Sequence, residues 1–342
     1  LEDKVKNRFQ IRNISLIILL FITAAYYPQN KIRIVSLAPN WTNIAAEIGA
    51  AENLVGVTRY CIFPDSIPRL VTEGKLQVVA GFVDVDYKKV EELKPDIILT
   101  CTGLQKKARD KFIEKGYKVI HMEETSVEEV YSKALELGKA INKEENAVKL
   151  VNYIKTNLKL VAEKFKNAPR QKVYYEINYF YKCVPGRDSY ITELIKMVGG
   201  EPIYSDRPGI APSVTWEEVV AANPDVILVP IWAHAENPVF EGDKAGNGTT
   251  TPYEIAHRKD AEKVNAVKNG KVRYINSAKT KQAGPQIPIA ADLFGKTIHA
   301  EGDIDLLKMD KVPENMETTF SMLMLYFPAL FANEYSIAQN IK

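Results

Sequence analysis

The sequence predicts an α/β fold: two Rossmann-like lobes, each a parallel sheet with helices, joined by a long α-helix and facing each other across a ligand cleft. Three observations carry this expectation. A phrase occurs twice, as Leu93-Lys94-Pro95-Asp96-Ile97-Ile98-Leu99-Thr100 and as Ala222-Asn223-Pro224-Asp225-Val226-Ile227-Leu228-Val229. Each copy follows an acidic amphipathic helix, Tyr87 to Leu93 or Thr215 to Ala222. Pro stops that helix, Asp opens the next element, and the β-branched apolar run behind it reads as a strand covered on both faces. Strand and helix patterns alternate on both sides of the chain's middle, as a parallel sheet requires. Between the halves runs a long polar stretch without Pro, with Ala147, Leu150, Val151, Ile154, Leu158, Val161 and Phe165 at helical spacing.

Taken in order, residues 1–30 read as an address. Lys4, Lys6, Arg8 and Arg12 precede the apolar run Ile14 to Ala25, after which Tyr26-Tyr27-Pro28 leads into polar sequence. The run is shorter than the ~20 residues a comfortable span needs, so a cleaved signal ending near Thr23-Ala24-Ala25 is expected, with a short membrane anchor as the alternative. Residues 31–125 form the first lobe. Its strands are Ile32 to Leu37, Leu54 to Val57, Gln77 to Ala80, Ile97 to Thr100 and Val119 to Met122. Ala38-Pro39-Asn40 reads as a loop before a helix from Thr42 to Ile48 that Gly49 ends. Residues 126–170 are the interlobe helix, opened by Ser126 with Glu129 as a capping box and weakened at Ile141-Asn142-Lys143. A helical strut of this kind allows only small opening and closing. Residues 171–300 form the second lobe, with strands Lys172 to Ile177 and Lys271 to Ile275, a helix Ser189 to Val198 ended by Gly199-Gly200, a polar loop Glu241 to Thr251 and a helix Pro288 to Ile298. Residues 301–342 are a tail whose apolar stretch, Phe320 to Ala332, is expected to pack on a lobe.

Composition excludes several classes. The 342 residues hold 45 Lys and Arg against 43 Asp and Glu, a net charge of +2, which gives no polyanion-binding surface and no nucleic-acid partner. Cys61, Cys101 and Cys183 form no paired motif, so neither a disulfide framework nor a zinc knuckle is indicated. Phosphate-cradling, dinucleotide, zinc-protease and hydrolase motifs are missing, which favours binding over catalysis and implies no cofactor. None of His121, His234, His257 and His299 is paired at metal-ligand spacing, so no resident metal site is expected. Loops at the carboxyl ends of parallel strands line the crevice. By that rule the first lobe offers Asn40, Trp41, Tyr60, Phe82 and Thr102, and the second offers Tyr179, Tyr181, Trp232 and His234. Flat aromatic faces with polar tips suit a large, partly apolar, hydrogen-bonding ligand. A binding protein for a bare transition metal around His234, or a two-lobed enzyme such as a glycosyltransferase or chelatase, are the rival readings.

Arg33-Ile34-Val35-Ser36-Leu37-Ala38-Pro39-Asn40, Leu54-Val55-Gly56-Val57-Thr58-Arg59-Tyr60-Cys61 with Pro64, Gly81-Phe82-Val83-Asp84 and the first Pro-Asp phrase stand in one order. Gly186-Arg187-Asp188-Ser189-Tyr190, Gly199-Gly200, Val214-Thr215-Trp216-Glu217, the second Pro-Asp phrase and Ala266-Val267-Lys268-Asn269-Gly270-Lys271-Val272 follow. This ordered set, over about Lys31 to Glu301, resembles the helical-backbone (class III) periplasmic binding proteins of ABC importers for cobalamin and iron chelates. The resemblance implies a monomer outside the cytoplasm that captures a metal chelate, corrinoid first and iron-siderophore or haem next, and delivers it unaltered to a membrane permease. It also implies docking through an acidic residue on each lobe. Glu217 matches the second-lobe position; the matching place in the first lobe holds Lys88, where an acid is usual, and Asp84, Asp86 or Glu91 could substitute, Asp86 being the one taken.

Overall fold

The structure, a computed structural model, describes residues 31–177, 182–231 and 252–301. The readings made for the leader (1–30), the loop Glu241 to Thr251 and the tail's apolar stretch lie outside the described residues.

In the first lobe β1 (Ile34–Ser36), β2 (Leu54–Thr58), β3 (Gln77–Ala80), β4 (Ile97–Cys101) and β5 (Lys118–Met122) form one parallel sheet in the order β3-β2-β1-β4-β5. In the second, β6 (Gln171–Tyr175), β7 (Gly200–Pro202), β8 (Val226–Ile231) and β9 (Val272–Asn276) run parallel in the order β7-β6-β8-β9. The two orders superpose as patterns: β6 lies between β7 and β8 as β1 lies between β2 and β4, and the first lobe carries one extra edge strand. The helices are α1 (Pro39–Ala45), α2 (Ser66–Thr72), α3 (Tyr87–Glu92), α4 (Lys106–Glu114), α5 (Val127–Ala140), α6 (Glu144–Phe165), α7 (Tyr190–Met197), α8 (Trp216–Ala222), α9 (Pro252–Ala256), α10 (Asn265–Lys268), α11 (Ser277–Thr280) and α12 (Ile287–Ile298).

The repeated phrase performs the same operation in both lobes. Lys94 and Asn223 stand at φ 45° and φ 47°, turning the chain out of α3 and α8 before the Pro. The amide of Asp96 then donates to the Arg33 carbonyl (2.8 Å), and its carboxylate accepts from the Arg33 N–H (2.7 Å). Asp225 does the same with Lys172, at 2.8 and 2.9 Å. One aspartate thus sets the register between β1 and β4 in the first sheet and between β6 and β8 in the second, which is why Pro-Asp recurs where it does.

Several boundaries differ from the sequence reading. α1 begins at Pro39, since a proline is pre-set for the first helical turn, so Asn40 and Trp41 are helical rather than in a loop. Gly199-Gly200 does more than end a helix: Gly199 turns at φ 87° and Gly200 opens the edge strand β7, where a Cβ would stand 2.4 Å from the Ile195 side chain. The interlobe segment is two helices broken at Ile141–Lys143, with Asn142 at φ 57°. The longer one, α6, is fastened at both ends. Asn146 Nδ2 donates to the Ile48 carbonyl of the first lobe (2.9 Å), and Lys164 Nζ pairs with Asp292 Oδ1 on α12 of the second (2.5 Å). Its residues Ala147, Leu150, Val151, Ile154, Leu158 and Val161 are all buried in an apolar cluster that continues into both lobes.

Candidate functional site

In both sheets the strand order reverses beside the first strand, and the crevice outside the carboxyl ends at such a point is where α/β sheets take ligands. In the first lobe the ends of β1, β4 and β5 deliver Asn40, Thr102 and Glu124. Gln105, fully buried, braces them: its Nε2 donates to the Leu37 carbonyl (2.7 Å) and the Phe82 carbonyl (2.6 Å), while its Oε1 accepts from the Cys101 amide (2.8 Å). Thr102 and Glu124 hold backbone φ values of 55° and 67°, in the left-handed region that costs a non-glycine residue energy and recurs at functional sites. Glu129 fixes the second of these. Ser126 caps α5 by accepting from the Glu129 amide, but the Glu129 carboxylate reaches past Ser126 to the amides of Glu123 and Thr125 (both 2.7 Å), clamping the loop that carries Glu124.

Asn40 Nδ2 donates to Glu124 Oε1 (2.7 Å), and the Cys101 thiol is hydrogen-bonded to the same carboxyl group. Burial outweighs the Cys101 bond, and with a smaller push from the like charge of Glu129 it raises the Glu124 carboxyl to about 8. Glu124 is therefore mostly an uncharged acid at neutral pH. The Cys101 thiol is itself pushed far up by burial and by Glu124, so it is no nucleophile.

The second lobe meets this floor through Ser189, Tyr190 and the segment from Thr280 to Gln286. Tyr190 Oη donates to the Thr280 carbonyl (3.2 Å) and lies within electrostatic reach of Glu124 and Cys101. A Cβ on Gly284 would stand 3.4 Å from the Asn40 carbonyl, so this segment is laid against the first lobe. Three buried polar atoms in this region have no partner in the structure, Ser189 Oγ, Gln282 Oε1 and Gln286 Oε1, while Thr102 Oγ1 has only the Cys101 thiol beside it. Native proteins leave few such atoms, and each needs a water or a ligand to answer it. On the spine side of the junction a groove of ≈520 Å³ runs between Asn43, Phe63 and Pro64 on one wall and Pro285, Gln286 and Ile289 on the other.

Behind the second-lobe floor sits a charge cluster that sequence reasoning missed. Glu176, at the end of β6, and Glu254, on α9, are both buried, and Arg258 bridges them with hydrogen bonds of 2.6 and 3.0 Å to Glu176 and 2.7 and 2.6 Å to Glu254. Tyr174 Oη donates to Glu176 (2.5 Å), and Lys182 Nζ stands 3.6 Å from it. Lys281 Nζ donates to the Ile177 carbonyl, and burial lowers its ammonium to about 7.

The expected ligand residues are distributed unevenly. Asn40 and Thr102 are on the floor. Tyr60 and Phe82 are partly exposed at the ends of β2 and β3, with Phe82 resting on the main apolar cluster. Trp41 is a correction: it is fully buried in that cluster, and its indole N–H donates to the Thr100 carbonyl (2.8 Å), so it shows the cleft no surface. Tyr179, Tyr181, Trp232 and His234 lie outside the described residues. Glu124 was legible in principle, because it directly follows a strand end as Asn40 and Thr102 do. Among the described residues no group of three or more His, Cys, Asp or Glu could hold a metal ion, and no helix is long and apolar enough to cross a membrane. Of the docking acids, Glu217 is exposed at the second position of α8, and Lys88 occupies the second position of α3, paired with Glu92 at 3.8 Å. Asp86 is exposed and caps α3, accepting from the Lys89 amide (3.0 Å).

Two parallel sheets that meet across a polar seam, tied by a helix fastened to both, define a two-lobed solute-binding protein. Residues 34–278 match the periplasmic binding protein family, and the chain belongs to it. This is a family of transporter substrate-binding proteins, not of enzymes. The chain is 23% identical over 261 residues to a vitamin B12-binding protein of Vibrio vulnificus (strain YJ016), covering 76% of this chain and 87% of that one. It is 24% identical over 280 residues to YvrC of Bacillus subtilis (strain 168), an uncharacterised ABC transporter substrate-binding lipoprotein, covering 79% and 80%. The solved structure of the periplasmic haem-binding protein RhuT from Roseiflexus sp. RS-1, in its apo form, shares the fold with a TM-score of 0.64 at 17% identity, over 79% of this chain and 100% of that one.

Proposed function

We propose that this protein captures a metal chelate between its lobes, a corrinoid first and an iron-siderophore or haem next, on the outer side of the cell membrane and hands it unaltered to an ABC importer permease. The carrying observation is the junction of the lobes, where Gly284 is laid against Asn40 and Tyr190 comes within reach of Glu124, with Ser189 Oγ, Gln282 Oε1 and Gln286 Oε1 left unanswered on neighbouring residues. The curated relatives supply the chelate class, and a Cys101 thiol that burial keeps protonated fits carriage without chemistry. Titrating the purified protein with cyanocobalamin, haemin and ferric siderophores, read by absorbance, is expected to give saturable binding of at least one. Silence toward all of them removes the reading.

Delivery rests on an exposed acid of each lobe, Glu217 on α8 and Asp86 before α3, meeting basic residues of the permease. The geometry that supports Glu217 is its placement: it is exposed in the first turn of a helix whose cap is already made by Thr215 and Glu218, so its own carboxylate is free of any capping duty. Glu217→Arg is expected to leave chelate binding within twofold of the parent while reducing permease-dependent uptake at least tenfold. Uptake at the parent rate would remove the docking role.

A further inference from the structure

We propose that the apolar stretch Phe320 to Ala332 of this chain docks in the trough between α6 and α12 and straps the two lobes together on the spine side. Tyr153, Asn157 and Leu160 recur at i, i+4 and i+7 on α6, one stripe of that helix, and with Ile289 of α12 they line a hollow of ≈280 Å³. This hollow shares Tyr153 and Ile289 with the ≈520 Å³ groove described above, so one trough continues from the second lobe to Asn43, Phe63 and Pro64 of the first. Its apolar lining is open: Tyr153 is 51% exposed, Leu160 63% and Ile289 45%. Single exposed apolar side chains are ordinary, but three along one trough mark a surface that something covers.

The chain itself supplies the cover. The described residues end at Glu301, just past α12, and that exit is pinned. Arg273 donates to the carbonyls of Thr297 (2.7 Å), Ile298 (3.2 Å) and Ala300 (2.7 Å). His299 Nε2 donates to the Val198 carbonyl (2.7 Å), and its ring stacks on Phe165 at the end of α6, with centroids 5.9 Å apart. The chain beyond Glu301 therefore starts at the end of the trough where Lys164 meets Asp292. α12 has 12 residues and is about 18 Å long. The eighteen residues between Glu301 and Phe320 can span up to about 60 Å, so the stretch can turn back and lie along the whole trough.

Chemistry matches on both sides. The thirteen residues from Phe320 to Ala332 include no charge, and all but Ser321 are apolar or aromatic; with Pro328 inside, the stretch falls short of the ~20 residues that cross a bilayer. On the trough's second-lobe rim Lys164 and Lys296 both pair with Asp292, at 2.5 and 2.6 Å, while the acids Glu47 and Asp65 line its first-lobe end. That balance suits an uncharged peptide segment and offers little to an anionic lipid surface.

The test uses the full chain with a photoreactive benzophenone amino acid in place of Leu160, isotopically light and heavy chains mixed, and phosphatidylglycerol vesicles present. Mass spectrometry after illumination is expected to find position 160 joined to residues 320–332 of the same chain. Links between light and heavy chains, links to lipid, or none to this stretch overturn the proposal. A second variant reads the same contact without a probe. Leu160→Asp with Ile289→Asp changes two exposed positions, so the fold is kept, and proteolytic cleavage within residues 302–342 is expected to quicken at least tenfold; cleavage there at the parent rate overturns the strap.

Discussion

Arg258→Ala is expected to destabilise the protein by about 3–5 kcal/mol, the range for removing one partner of a buried ion pair. Arg258 holds Glu176 and Glu254 at the same time, with its side chain 8% exposed and theirs 0% and 4%. Burial works against its charge, but the two carboxylates more than compensate and raise its hold on the proton. Without the guanidinium two buried carboxylates remain in one pocket, with Lys182 at 3.6 Å from Glu176 as the nearest described cation. Denaturant unfolding followed by circular dichroism measures the loss; a change under ~1 kcal/mol would show that the cluster is not bearing on stability. The cluster joins the end of β6 to α9, so the damage should concentrate in the second lobe, and hydrogen exchange resolves where it falls. Replacing all three charged groups together, Glu176→Gln, Glu254→Gln and Arg258→Met, is expected to be milder than the single change, because the buried carboxylates go with the guanidinium and only the partly exposed Lys182 loses its counter-charge.

Glu124→Gln is expected to stabilise the protein at pH 8 by about 4 kcal/mol, since the folded state holds the proton to about 8 rather than 4.5 and each pH step of one across that window is worth ~1.4 kcal/mol, and to leave stability at pH 4 nearly unchanged. The sign follows from proton binding. Between 4.5 and about 8 the unfolded chain has released the Glu124 proton and the folded chain keeps it, so raising the pH favours unfolding through that window. Below 4.5 both states are protonated and the contribution is complete; above about 8 it has been lost. Lys281 acts with the opposite sign, since its ammonium is lowered to about 7 and the folded state gains as pH rises beyond that value. The difference between parent and variant isolates Glu124 from Lys281. Thermal unfolding from pH 4 to pH 9 reads it, and two parallel curves would mean that Glu124 is ionised in the folded protein at neutral pH.

The sheets were legible because their signals are local. Pro-Asp after a helix, a β-branched run and the alternation of periods name a parallel strand wherever they occur, and the hydrogen bonds of Asp96 and Asp225 show what the phrase is for. The edge strand Gly200–Pro202 was not legible, since three residues containing Gly and Pro carry no period and are held by pairing with Gln171 to Val173. In the site, Asn40 and Thr102 could be named from their place after strands. Trp41 was misplaced because an aromatic residue beside a strand end serves a cleft or a core equally well in sequence; Pro39 starts the helix early, and that rotation turns the indole inward to the Thr100 carbonyl. Gln105 and Arg258 carry no motif at all, since each acts by joining segments distant in sequence.

By itself the sequence determined the alternation of strand and helix, the duplication, the spine and the exclusion of common catalytic motifs, all of which depend on residues within a few turns of one another. The tertiary structure alone decided which groups form the floor and in what protonation state. A carboxyl group at position 124 is ordinary until Asn40, Cys101 and Tyr190 are brought around it from other elements and much of its contact with water is removed; desolvation belongs to the folded surroundings and is written in no segment of the chain.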